Sequence, residues 1–282
     1  MGGTMITADL TATERAFAEI KRLCHAGLDP ETLFRRVAEP LGRAVPFEGY
    51  AASTFDPLSG LPTGLVSNEE MGGKEEARFF VEQVYFEDDV NEYGWMARER
   101  LAVARLSDGT GGRLERALRH QLYNAPKGFG YELRAVLAAD RRPWGGLCLV
   151  RKRGDRVFDE REVAFMSRVV PPLTAGLRAA TLHSEARREP TNDEALDTAG
   201  IVVLDHRGRV AGHTRAAERW LRELGATEAG REDGRDVPTA VCSVVGALRQ
   251  ALGPGTSGGY LPDAPRLRVR GRSGRWLTLR RP

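Results

Sequence analysis

The segment from Gly128 to Val163, GFGYELRAVLAADRRPWGGLCLVRKRGDRVFDEREV, constrains this chain more than any other. It reads as strand, tight turn, strand, second turn and the capped start of a helix. Before Asp140-Arg141-Arg142-Pro143, the residues Tyr131, Leu133, Ala135 and Leu137 alternate with Glu132, Arg134 and Val136, the period-two signature of a strand. After the turn, Trp144 to Val150 is almost wholly apolar, as in a strand covered on both faces. Phe158 then precedes Asp159-Glu160-Arg161-Glu162. Asp159 can accept from the amide at the third helical position and Glu162 can reach back, which makes a capping box.

This order of elements resembles the end of a GAF domain, particularly those that precede LuxR-type DNA-binding regions in bacterial regulators. There an ELR strand, a turn, a WG.L.L.R strand and an F...E helix recur. The matching residues are Glu132-Leu133-Arg134, Trp144-Gly145, Leu147, Leu149, Arg151, Phe158 and Glu162. The resemblance implies a sensor rather than an enzyme.

Upstream, Thr13 to Cys24 has helical periodicity, with Ala16, Phe17, Ile20, Leu23 and Cys24 on one face, and Gly27 suits its stop. Asp29-Pro30 restarts a helix as cap and first helical residue, with Leu33, Phe34 and Val37 inward and Pro40 as its limit. Phe47 to Ser67 alternates as a hairpin around Asp56-Pro57-Leu58-Ser59-Gly60. Lys74 to Glu87 is an amphipathic helix with Ala77, Phe80, Val81 and Val84 toward a core. Leu101 to Leu106 is a short strand. Ser107 to Gly112 is a glycine-rich loop opening onto a helix from Arg113 to Tyr123.

The helix from Glu160 to about Arg188 carries Val163, Met166, Val170, Leu173 and Leu177 at alternating steps of three and four. That seam suits either a homodimer or packing against the first helix. Pro171-Pro172 predicts a kink. The polar, proline-containing stretch 188–192 reads as a linker. It divides a GAF-like sensory domain, residues 1–187, from a smaller block, residues 193–282. In that block strands are expected at 200–205 and 210–213 and helices at 215–224 and 237–252, followed by strands at Leu267 and at Trp276. Its opening, GIVVLD..GRV...T.AAERWL, looks like a PAS domain, although the final long strand of a PAS sheet is missing. The fold class expected is thus α+β: a GAF-like antiparallel sheet with flanking helices, linked by a long helix to a smaller PAS-like α+β domain. The regulators it resembles carry a helix-turn-helix beyond this point. None is legible before Pro282, so DNA would be reached only through a downstream segment outside this chain.

Composition narrows the chemistry. The chain is 41% hydrophobic and 29% charged, and no stretch approaches the ~20 apolar residues of a membrane span. No signal peptide is legible, and Cys24, Cys148 and Cys242 lie far apart in apolar surroundings, so a cytoplasmic protein without disulfides or structural zinc is expected. From Pro190 onward, 15 arginines face 11 acids with no lysine. That basic end suits either an anionic partner or a solvated strand face.

No catalytic motif emerges. The Asp108-Gly109-Thr110-Gly111-Gly112 run lacks GxxxxGK[ST], no histidine pair has ligand spacing, and no GxSxG elbow is present. No enzyme, metal or cofactor is expected. Among known GAF chemistries, the NKFDE signature of cyclic-nucleotide binders is missing, and Arg119 stands where a bilin-attaching cysteine would precede His120. The resemblance places a cavity against one sheet face, with Phe80, Val84, Tyr93, Trp95, His120, Tyr123 and Cys148 as its wall. Such a wall suits a small, partly apolar ligand of unknown identity, or else these side chains simply fill the core. Glu132 and Arg134 share a strand face and are expected to pair.

Overall fold

The expected capping box closes as predicted and locks the sheet to its main helix. In this computed structural model, which describes residues 3–81, 89–186, 199–205, 210–225, 237–251, 266–273 and 276–280, the amide of Glu162 donates to Asp159 Oδ1 at 3.0 Å. The amide of Asp159 donates to Glu162 Oε2 at 2.9 Å. Glu162 also takes both ends of the buried Arg151 guanidinium, at 2.6 and 3.2 Å. Arg151 Nε donates to Pro46 O at 2.8 Å, and its guanidinium lies 4.0 Å from the centre of the Phe158 ring. The residues of the expected R…F…E pattern thus form one latch.

Strands β1 (Gly49–Phe55), β2 (Pro62–Ser67), β3 (Val103–Arg105), β4 (Phe129–Ala139) and β5 (Arg142–Lys152) form one antiparallel sheet in the order β2-β1-β5-β4-β3. One face is covered by α1 (Gly3–Cys24), α2 (Pro30–Ala44) and α6 (Glu160–Ala186). Between the hairpins and β4 lie the short α3 (Lys74–Phe79), α4 (Tyr93–Glu99) and α5 (Leu106–Thr110). Asp29 caps α2 by accepting from the amide of Thr32 at 3.0 Å. Pro40, read as that helix's limit, lies inside it.

The α6 seam faces inward. Met166, Leu173 and Leu177 are fully buried, Val170 is nearly so, and Val163 packs at the border of the same core with Ile20, Leu33, Phe34, Leu133 and Leu149. Burying such side chains stabilises the fold by about 1.5–3 kcal/mol each, so this face is used within the chain and is not open to a second copy. Gly176 lets α1 close on it, because a Cβ there would stand 2.7 Å from that of Cys24. The helix runs through Pro171 and Pro172 without interruption.

Two upstream readings change. The expected helix from Arg113 to Tyr123 is broken into a 3-10 turn at Leu114–Arg116 and a π turn at His120–Asn124. Gly111 and Gly112, at φ +61° and +80°, end α5 in left-handed conformation and leave no long helix with a free N-terminus beside the glycines. The helix expected over Lys74–Glu87 is described as far as Val81, and Val84 lies outside the described residues.

The second block contains β6 (Val202–Leu204), β7 (Val210–His213), α7 (Arg215–Glu223), α8 (Thr239–Ala251), β8 (Arg266–Arg270) and β9 (Trp276–Arg280). Thr214 caps α7 through the amide of Ala217 at 3.3 Å. Among the described residues the strands form two separate pairs, β6-β7 and β8-β9, and not the single sheet that a PAS likeness implies. The block also docks on the first sheet. Leu61 packs with Ala240, Val244, Leu267 and Val269, Ser243 Oγ donates to Pro62 O at 2.7 Å, and the Arg268 amide donates to Asp56 Oδ2 at 3.0 Å.

Replacing Glu162 by Ala should lower unfolding free energy by about 3–5 kcal/mol in urea titration, since it strands the buried Arg151 as well as opening the cap. A loss under about 1 kcal/mol would show that the latch is dispensable.

Candidate functional site

Alternation along β4 and β5 sends different chemistry to the two faces of the sheet. Leu133, Ala135, Leu137, Leu147 and Leu149 join the helical core, while Glu132, Arg134, Val136, Cys148 and Val150 point the other way. That second face is covered by α4 and by the segments around residues 89–91 and 118–124. Tyr93 lies flat against Gly146, where a Cβ would stand 2.5 Å from the ring, so glycine is required there. Tyr93 also meets Phe55 at 5.4 Å between ring centres, and Phe80 meets Tyr123 edge-on at 5.2 Å. The Tyr123 hydroxyl donates to Met71 O.

Between sheet and cover remains a cavity of about 40 Å³. It has room for roughly two or three waters at ~10–15 Å³ each. Phe80, Tyr93, Tyr123 and Cys148 line it, together with Ser53 of β1, Leu65 and Ser67 of β2, and Glu132 and Arg134 of β4. Trp95 does not. Helical spacing turns Tyr93, Met96 and Ala97 inward and leaves Trp95 42% exposed. His120 is buried, but it is not part of the cavity wall.

Glu132 and Arg134 do more than pair with each other: they tie the cover to the sheet. Glu132 is 3% exposed and accepts from Arg119 Nε at 3.0 Å, from Arg119 Nη2 at 2.7 Å and from Asn124 Nδ2 at 2.8 Å. Arg119, 2% exposed, also pairs with Asp89 at 2.8 Å. Asp89 in turn accepts the amides of Leu118 and Arg119 at 3.2 and 3.0 Å. Arg134 Nη1 donates to Asn91 O at 3.2 Å, and its guanidinium lies 4.8 Å from the Tyr93 ring centre. Arg134 Nε stands 3.1 Å from Glu132 Oε1 without the alignment of a hydrogen bond, so this buried donor has no hydrogen-bond partner. The sequence signal for the pair was two charged residues two apart on one face of a strand otherwise built to be buried.

Protonation follows from these contacts. Burial pushes the Glu132 carboxyl up, but the Arg119 and Arg134 guanidiniums outweigh it and hold it down at about 2. Burial, with the Glu132 charge beside it, pushes the Cys148 thiol up to about 12, and burial, followed by Cys148 and Glu76, brings Tyr123 to about 12. Burial lowers His120. Cys148 is therefore a neutral thiol at ordinary pH and a poor nucleophile. Among the described residues no group of three or more His, Cys, Asp or Glu is placed to hold a metal ion, and no helix is long and apolar enough to cross a membrane. The cavity wall thus combines aromatic rings, small hydroxyls and a buried cation.

No family model and no curated protein matches the chain. Among solved structures it is similar to the GAF domain of a phosphoenolpyruvate-protein phosphotransferase from Coxiella burnetii, at 14% identity over 61% of this chain and 96% of that one, with a TM-score of 0.43. It is also similar to the phycoerythrobilin-bound GAF domain of a cyanobacterial phytochrome, at 13% identity over 61% and 96%, TM-score 0.39. A third is the VqsR LBD domain from Pseudomonas aeruginosa, at 18% identity over 64% and 98%, TM-score 0.37.

Because the folded Glu132 pKa lies below its unfolded value of about 4.3, its contribution is complete above that value. It is lost as pH falls from there through about 2. Urea titrations across this range should show a fall in stability that Glu132→Gln lacks. An unchanged acid limb in the variant would refute the assignment.

Proposed function

We propose that this chain is a sensory region of GAF type that takes up a small, partly apolar ligand carrying a hydrogen-bond acceptor. The observation that carries this reading is Arg134: a buried guanidinium whose Nε has no hydrogen-bond partner, set in a cavity wall that also holds Phe80, Tyr93 and Tyr123. Arg134 Nε is ion-paired with Glu132 but not aligned for a hydrogen bond, and an aligned acceptor on a bound molecule would recover part of the ~1–3 kcal/mol that a buried unsatisfied donor costs. The raised thiol of Cys148 and the paired carboxylates favour binding over catalysis.

A cavity of about 40 Å³ is far below the ~300–1,000 Å³ of ordinary ligand sites, so uptake requires the wall to open. Phe80 and Tyr123, in contact with each other, line the cavity opposite the sheet, so their rings are the ones that would part. Leu65 and Ser67 of β2 also line the cavity, and the second block rests on the β1–β2 hairpin through Leu61 and Pro62. A ligand that prefers the opened state would shift that hairpin and with it the second block. The setting implied by the GAF-type ending is a bacterial, cytoplasmic, LuxR-type transcription regulator working as a homodimer. Its copies would meet through surfaces other than the α6 seam.

A second reading is a ligand-free interaction module, favoured by the small size of the cavity. Thermal-shift measurements against a panel of small aromatic and aliphatic metabolites separate the two. A compound that raises the melting temperature of the wild type, and not of Arg134→Met, supports the sensor. A panel in which nothing shifts the wild type, together with a stable oligomer in sedimentation, supports the module.

A further inference from the structure

We infer that a second binding site, for a small amphipathic carboxylate, lies in the open cavity between α4, β4 and the β4–β5 turn. This cavity has a volume of about 350 Å³, inside the ~300–1,000 Å³ range of small-molecule sites. Its floor is apolar, formed by Met96, Ala97, Val136 and Val170, all buried. Its rim carries Arg100, Asp140 and Arg141, all exposed.

The backbone explains why these side chains stand out. Four non-glycine residues among those described have positive φ: Asn91, Arg100, Asp140 and Arg141, and the last three all line this cavity. Arg100, at φ +59°, occupies the left-handed position that ends α4, where glycine is the usual residue. Asp140 and Arg141, at +52° and +61°, form the two-residue turn of the β4–β5 hairpin, where Asn-Gly or Asp-Gly is preferred. A side chain in left-handed conformation costs about 1–2 kcal/mol. Arginine thus stands twice where glycine would relieve strain, and both arginines line the same cavity. Neither guanidinium has a hydrogen-bond or ion-pair partner among the described residues.

Strain of this kind is retained where the side chain has a task. Guanidiniums above an apolar floor fit a carboxylate head with a short hydrocarbon body, the head held by charge-assisted hydrogen bonds. Asp140 brings the rim to a net single positive charge, which suits a monoanion.

The test uses sodium octanoate as probe, with 1-octanol as its neutral counterpart, in saturation-transfer NMR and calorimetry at low salt. Wild type should bind octanoate saturably and octanol much more weakly. Arg100→Gly and Arg141→Gly should each weaken octanoate by at least about tenfold, while their melting temperatures hold or rise as strain is released. The site is refuted if wild type shows no saturable octanoate binding, if octanol binds equally, or if both glycine variants bind as wild type does. A drop in melting temperature in both glycine variants would remove the strain argument and overturn the inference as well.

Discussion

The carboxylate of Glu132 is the point from which the cover of the candidate site hangs. It reaches Arg119 and Asn124 on the segment above it, while Arg134, two residues along the same strand face, reaches Asn91. Arg119 then joins Asp89, which holds the backbone of residues 118 and 119. Arg119, Arg134, Glu132 and Asp89 balance in charge. Buried ion pairs of this kind give little net stability compared with apolar packing, but they fix geometry because every alternative leaves a charge unpaired. The covering segments have only short helical turns of their own, so their position over the sheet depends on this network.

The helix side of the sheet is built on the opposite principle. Leucines, valines and phenylalanines supply the packing, and one ionic latch, Arg151–Glu162, sets the angle at which α6 leaves β5. The sheet therefore has one face built on apolar packing and one whose buried charges hold the cover in place. Within the polar face Val136 packs with Phe55 and Tyr93, and Cys148 borders Tyr123 in the cavity wall beside Arg134, Glu132, Asn124 and two serines.

What could be read from the sequence was whatever local chemistry determines. The Asp159–Glu162 box, the Asp29 cap and the alternation in β4 depend on residues near each other in the chain, and each is present with good geometry. Phe80, Tyr93 and Tyr123 come to the cavity from segments laid over the sheet and Cys148 from β5 beneath them, an arrangement that no local spacing encodes. Trp95 faces out because α4 turns Tyr93, Met96 and Ala97 inward, and His120 sits in the π turn, buried but outside the cavity wall. The seam of α6 had the spacing of a dimer contact, but periodicity does not distinguish a second copy from α1 and β4 of the same chain. The docking of the second block on Leu61 and Pro62 joins residues about 180 positions apart and has no local signature.

The dependence of the cover on Glu132 is tested most directly by residue-level hydrogen exchange on wild type and Glu132→Gln at neutral pH. The amides of Leu118 and Arg119, which donate to Asp89, should lose protection selectively, while those of the β4–β5 ladder and α6 keep theirs. Unchanged exchange at Leu118 and Arg119, or an equal loss across the whole sheet, would contradict a cover held by this one carboxylate.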